Sequence, residues 1–203
     1  MSHIILATTI QIIINANMPQ LTYDYTDLIN EAYNCSRANA EEIDPNIIEN
    51  LVRIEDAFFV ENNIPDELRG MLLVAACNES GYNPFAKGDY RTTRRGNRVA
   101  MARGILQFWP WATRRYGFDR ADYQLSAHFW MTHMVNLRER NLCPNRFSEK
   151  RKWIAAWTQT CRGRLSRENR YRCYQVTGHY RRLQRWQKRI NDRKEQEANE
   201  PGC

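Results

Sequence analysis

The stretch PDELRGMLLVAACNESGYNP, residues 65–84, decides how the chain is read. Leu68, Leu72, Ala75 and Glu79 follow one another at spacings of 4, 3 and 4, which places them on one helix face. Pro65 suits the opening of this helix and Gly81 its end, since glycine readily takes the left-handed turn that stops a helix. The predicted helix therefore runs from Pro65 to Ser80. Its inward stripe is apolar up to the last member, which is a carboxylate. Burial and the carbonyl end of a helix both favour a carboxyl that carries its proton, the form a general acid needs. Ala75 and Ala76, one turn back, leave room for a groove. On the helix alone the plainer reading is a terminal glutamate that swings out to water.

Outward from this segment the chain reads as further helices separated by short breaks. Tyr23 to Asn34 fits a first helix, and Asp44-Pro45 caps and opens a second that reaches Asn62. Leu51, Ile54, Ala57, Phe58 and Phe59 supply its apolar stripe, with acids opposite. Residues 82–103 lack a helical period, and Asn97 to Met101 suits a short hairpin strand. Helices resume near Pro110 and over Gln124 to Asn141, and Ser148 caps one that carries Trp153 to Trp157. A last helix, Val176 to Arg193, aligns Val176, Tyr180, Leu183, Trp186 and Ile190 against the body.

The chain has 203 residues, 42% of them hydrophobic and 26% charged, which excludes a disordered, collagen-like or membrane-bundle protein. Its net charge of +7 is unevenly spread. Residues 1–70 carry 3 basic and 12 acidic side chains, whereas residues 138–194 carry 18 and 4. A basic half of this strength points to an anionic partner, namely nucleic acid, a membrane surface or an acidic wall polymer. Equally, the two halves can neutralise each other in the fold.

Six cysteines (Cys35, Cys77, Cys143, Cys161, Cys173 and Cys203) show no zinc-binding spacing, and their even number suits an oxidising compartment. Cys143, Cys161 and Cys173 lie close enough in sequence for one bridge to hold an arginine-rich segment, and free buried thiols are the alternative. Ile4 to Ile14 is apolar and precedes Asn15-Ala16-Asn17, as in an export signal, but no Lys or Arg stands before it. No segment is long and apolar enough to span a membrane. His128 and His133 are five apart, a poor metal spacing, and neither a phosphate-cradling glycine loop nor a Ser-His-Asp order occurs.

Glu79-Ser80-Gly81-Tyr82-Asn83-Pro84, then Ala86, then Ala102-Arg103-Gly104-Ile105-Leu106-Gln107 with Pro110 and Thr113, resembles the lytic transglycosylase family, which shares its fold with goose-type lysozymes. The segment Trp153-Ile154-Ala155-Ala156-Trp157-Thr158 stands where that family has an Ala-Tyr-Asn segment. The resemblance covers about residues 64–160. It implies a mainly α-helical, lysozyme-like domain with a small hairpin or irregular insert at the cleft. It divides the chain into an N-terminal extension or signal (1–20), an N-terminal helical segment (21–63), a catalytic domain (64–160) and a basic C-terminal helical extension (161–203).

The implied activity is cleavage of the β-1,4 bond between muramic acid and glucosamine sugars of peptidoglycan, leaving 1,6-anhydro ends. Glu79 is the implied acid/base. Gln107 would hydrogen-bond the sugar, with Ser80 and Tyr82 supporting the loop around Glu79. Trp157 is the aromatic expected in the cleft. The resemblance implies no cofactor and no metal, and it implies a protein of the periplasm, the cell wall, the secreted fraction or a virion.

Departures from the family pattern keep other readings open. Trp157 replaces a tyrosine and can donate but not accept a hydrogen bond, and Thr158 replaces an asparagine. Met101, Leu106 and Gly88 stand where the family usually has glycine, methionine and serine. Asp89 in the insert could approach the cleft and permit attack by water, as in a lysozyme-type hydrolase; an exposed turn residue is the alternative. Phe108, Trp109, Trp111 and Trp130 are sugar platforms or, more simply, core. The arginines at 91, 94, 95 and 98 either meet stem-peptide carboxylates or form a solvated loop. From a different class comes a non-catalytic wall-binding or nucleic-acid-binding virion protein built on residues 138–194, where arginines alternate with Tyr171, Tyr174, Tyr180 and Trp186.

Overall fold

A computed structural model describes residues 21–35, 37, 38, 42–111, 114, 117–139, 148–158 and 167–199, and side chains throughout these except at 156–158 and 167–177. The protein is mainly helical. Helices α1 (Thr26–Tyr33), α2 (Pro45–Asn62) and α3 (Met71–Ser80) precede a hairpin of strands β1 (Lys87–Thr92) and β2 (Arg98–Arg103). Helices α4 (Tyr123–Glu139), α5 (Glu149–Thr158) and α6 (Arg167–Asn199) follow it.

Helix α3 is the centre of the molecule because it is apolar all round. Every residue from Met71 to Cys77 is buried, and a helix without a polar face has to be enclosed. Helices α1, α2 and α6 pack against it, α4 lies on α2, and α5 joins α4 to α6. One core unites them through Leu28, Ile48, Leu72, Met131, Trp153 and Leu183. On α6, Leu183, Trp186 and Ile190 are buried as their spacing requires, while the side chain of Val176 is outside the described residues. The cap at Asp44 is present, its carboxylate accepting the Asn46 N–H at 2.9 Å, and Ser148 accepts the Arg151 N–H at 3.3 Å.

Two expectations need correction. The helix predicted from Pro65 is interrupted: Asp66–Leu68 form a single 3-10 turn, Gly70 is left-handed, and the α-helix begins at Met71. The interruption is closed by Glu55 of α2, whose carboxylate accepts the N–H groups of Gly70 at 2.7 Å and Leu72 at 2.8 Å. A side chain from a neighbouring helix thus caps α3 where Gly70 has none of its own to offer. For the same reason the acids of α2 do not all face water. Glu55 and Asp56 are buried, whereas Ala57 is exposed. Asp56 accepts from Arg69 at 2.5 Å and from the Thr22 backbone at 2.7 Å, so it too is consumed by tertiary pairing.

The irregular stretch is an antiparallel hairpin in which Gly88 faces Ala102 and Tyr90 faces Ala100. Gly104 follows it with φ +82, and a Cβ there would come within 1.7 Å of the Arg120 carbonyl, so only glycine fits this turn.

Cys35 and Cys77 form a disulfide across 42 residues, fastening the chain after α1 to α3. Breaking it by a Cys35→Ser/Cys77→Ser double change should cost about 3 kcal/mol, because the unfolded chain regains the freedom of that loop. Urea unfolding of the double variant beside the oxidised wild type measures this. Cys143, Cys161, Cys203 and the side chain of Cys173 lie outside the described residues.

Charge pairing between the chain's ends is local and specific. Glu31 of α1 is buried and takes both Arg189 and Arg193 of α6, and Lys194 reaches Asp27 at 2.7 Å. Among the described residues no helix is long and apolar enough to cross a membrane. The Ile4 to Ile14 stretch lies outside them.

Candidate active site

Glu79 occupies the last turn of α3, where the apolar helix emerges from the core. Its side chain is 19% exposed, between the enclosed residues behind it and the surface. Gly81 ends the helix at φ +62, and a Cβ there would meet the Arg37 carbonyl at 2.4 Å. The backbone therefore turns sharply just after Glu79 and holds that carboxylate at the rim.

The carboxylate has a partner that the sequence pattern did not reveal. Oε1 of Glu79 lies 3.1 Å from Nε2 of His179, a residue of α6 whose side chain is 5% exposed. Nδ1 of His179 is buried and has no hydrogen-bond partner among the described residues. A proton on Nδ1 would be an unpaired buried donor, so we assign the imidazole proton to Nε2, which donates to Glu79. The only hint in the sequence is position: His179 sits next to Tyr180 on a helix whose inward stripe passes beside it.

Ser80 and Gln107 join α3 to the hairpin. The Ser80 hydroxyl donates to the Ile105 carbonyl at 2.8 Å. Gln107, left-handed at φ +50, donates through Nε2 to the Gly104 carbonyl at 2.8 Å and to Ala86 at 3.2 Å. Its Oε1 lies against Gly88, where an added Cβ would come within 2.4 Å. Gly88 thus leaves space that the Gln107 amide occupies. The Gln107 donors are engaged with backbone, so the amide braces the turn as it stands.

Tyr82 is buried, and its hydroxyl donates to the Leu73 carbonyl at 3.0 Å. Burial, with the nearby Glu55 charge, pushes its phenol well above the ordinary range. It is a support behind the helix end. Asp89 is exposed, as one of the two expectations had it, but it belongs to strand β1, with φ +47, and not to a turn. Its Oδ2 accepts the indole N–H of Trp109 at 3.0 Å, and the Arg91 guanidinium covers the same indole 4.5 Å from its centroid. The Trp157 side chain is outside the described residues.

Of the other aromatics, Trp130 is buried, and Phe108 packs edge-on against Phe118 and Phe129. These are core contacts. Trp109, half-buried and tied to the hairpin, is the one beside the insert. Among the described residues no group of three or more His, Cys, Asp and Glu side chains is placed to hold a metal ion.

Comparison of the chain with protein-family models, with curated proteins and with solved structures gave no match.

Proposed function

We propose that the protein is a lytic transglycosylase of lysozyme-like fold that cleaves the β-1,4 bond between muramic acid and glucosamine in peptidoglycan. The observation that carries this reading is the single glutamate at the open end of a buried helix, held through one oxygen by a buried histidine. His179 takes Oε1 and leaves Oε2 for the reacting oxygen. The Nε2–H of His179 can donate to Oε1 whether or not Oε2 carries a proton, so the carboxyl keeps its place through both halves of the reaction.

In the first half, the Oε2 proton passes to the glycosidic oxygen as the bond to the muramic C1 breaks. In the second, Oε2 takes the proton of the muramic 6-hydroxyl while that oxygen bonds to C1. The sugar supplies its own nucleophile, so a second carboxylate is not required, unlike a hydrolase that has to place water. The engagement of Asp89 with Trp109 supports this choice over hydrolysis. The Cys35–Cys77 disulfide supports an oxidising compartment, whether periplasm, wall or virion. The ties of Arg189, Arg193 and Lys194 to α1 weigh against a nucleic-acid surface along α6.

Mass spectrometry of sugars released from purified peptidoglycan tests the reading. Anhydro-ended fragments are expected. Fragments heavier by one water would make the protein a hydrolase, and no release would overturn the enzyme reading altogether.

His179 is a positioning residue in this scheme. His179→Phe should lower kcat by about ten- to a hundred-fold, because orientation of the carboxyl is lost while glycan binding is not. KM should stay nearly constant. His179→Gln, which keeps a donor, should recover part of kcat. A parallel loss in both variants together with a rise in KM would assign His179 to the core alone.

A further inference from the structure

The groove between α1, α3 and α6 contains a cleft of about 500 Å3 that the reaction above does not use. Helix α3 contributes Val74 and Cys77, and α6 contributes Arg182, Arg185 and the buried Trp186. Its Arg182 end lies toward the Glu79 site, near enough for the Glu79 charge to act on that guanidinium. Arg182 follows His179 by three residues on α6, about one helical turn.

The charges lining the cleft are not balanced. Glu31, the one carboxylate among the described residues that line it, is already taken by Arg189 and Arg193. Arg182 and Arg185 have no carboxylate bonded to them among the described residues, and Arg37 lies close by. Burial, with repulsion from Arg37 and Arg185 and against the attraction of Glu79, holds the Arg182 guanidinium below its ordinary range. Arg182, half-buried, and Arg185, exposed, thus leave the cleft with an excess of positive charge that a bound anion would offset.

We propose that this cleft is a carboxylate subsite for the strand cleaved at Glu79, with Arg182 and Arg185 taking acidic groups carried by that strand. The inference rests on the transglycosylase reading of Glu79. Guanidinium forks match carboxylates two bonds at a time, and two arginines one turn apart suit one or two such groups. A phosphate backbone needs a longer continuous row of free cations. Here that row is cut, because Arg189, Arg193 and Lys194 are committed to α1.

The test is calorimetry on the full chain carrying Glu79→Gln, which prevents turnover. The ligands are a muramyl disaccharide-peptide with free carboxylates and the same compound with its carboxylates amidated. The free acid should bind about tenfold more tightly, and Arg182→Ala/Arg185→Ala should abolish that preference without weakening the amidated form. Arg182→Lys/Arg185→Lys should retain part of it. If the double alanine variant loses its fold, Arg185→Glu at an exposed position should reverse the preference.

A preference that survives these changes overturns the inference alone. So does equal competition by inorganic phosphate at the ligand's own concentration, or a single-stranded oligonucleotide as the only ligand to which the arginines matter. Failure of both glycopeptides to bind overturns the reading of Glu79, and this inference with it.

Discussion

Glu79→Gln is expected to cut sugar release from peptidoglycan by about a thousand-fold, the scale of a lost general acid/base. The substitution removes the transferable proton and little else. Glutamine has the same length and can present its carbonyl to the Nε2–H of His179, which lies 3.1 Å from the native Oε1. Neighbouring structure does not depend on the charge, because the helix end is held by Gly81 and by Ser80 on Ile105. The melting transition should therefore stay within about 1 kcal/mol of the wild type. Initial rates of fragment release, set beside thermal unfolding, check both halves of the prediction. Wild-type release by a well-folded Glu79→Gln protein would remove Glu79 from the chemistry.

Glu55→Ala is the substitution with the largest expected cost in stability, about 4 kcal/mol. Glu55 is fully enclosed and caps α3 through the Gly70 and Leu72 N–H groups, and each buried donor left without a partner costs about 1–3 kcal/mol. Denaturant unfolding measures the loss.

The same residue links folding to pH. Burial lifts the folded carboxyl to about 7, against the two backbone donors that lower it. The unfolded chain has the ordinary value of 4.5, so the folded state holds this proton more tightly. The contribution is fully present below the unfolded value and is lost as pH rises through about 7. Relative to Glu55→Gln, which cannot ionise, the wild type should lose about 3 kcal/mol between mildly acidic and mildly alkaline solution. Equal pH profiles for the two proteins would show that Glu55 does not change its charge in that interval.

Local features of the fold were legible in the sequence because the atoms that produce them are neighbours along the chain. The Asp44 cap, the Gly81 stop and the stripe of Leu183, Trp186 and Ile190 all follow from turn chemistry and a period of 3.6 residues. Although α3 is buried on every side, with Leu68 in the 3-10 turn before it, the run of apolar residues does end on Glu79. Its partner was beyond such reasoning, since His179 is 100 residues away and meets Glu79 only because α6 packs on α3. The break at Gly70 was hidden likewise, because its cap comes from Glu55 of another helix. So was the choice of Cys35 with Cys77 among the cysteine pairings. The sequence by itself determined the caps, stops and apolar stripes that neighbours along the chain produce, though not the start of α3. Only the tertiary structure decided which polar groups meet once those sides are buried, since a polar group removed from water takes whichever partner the packing brings to it.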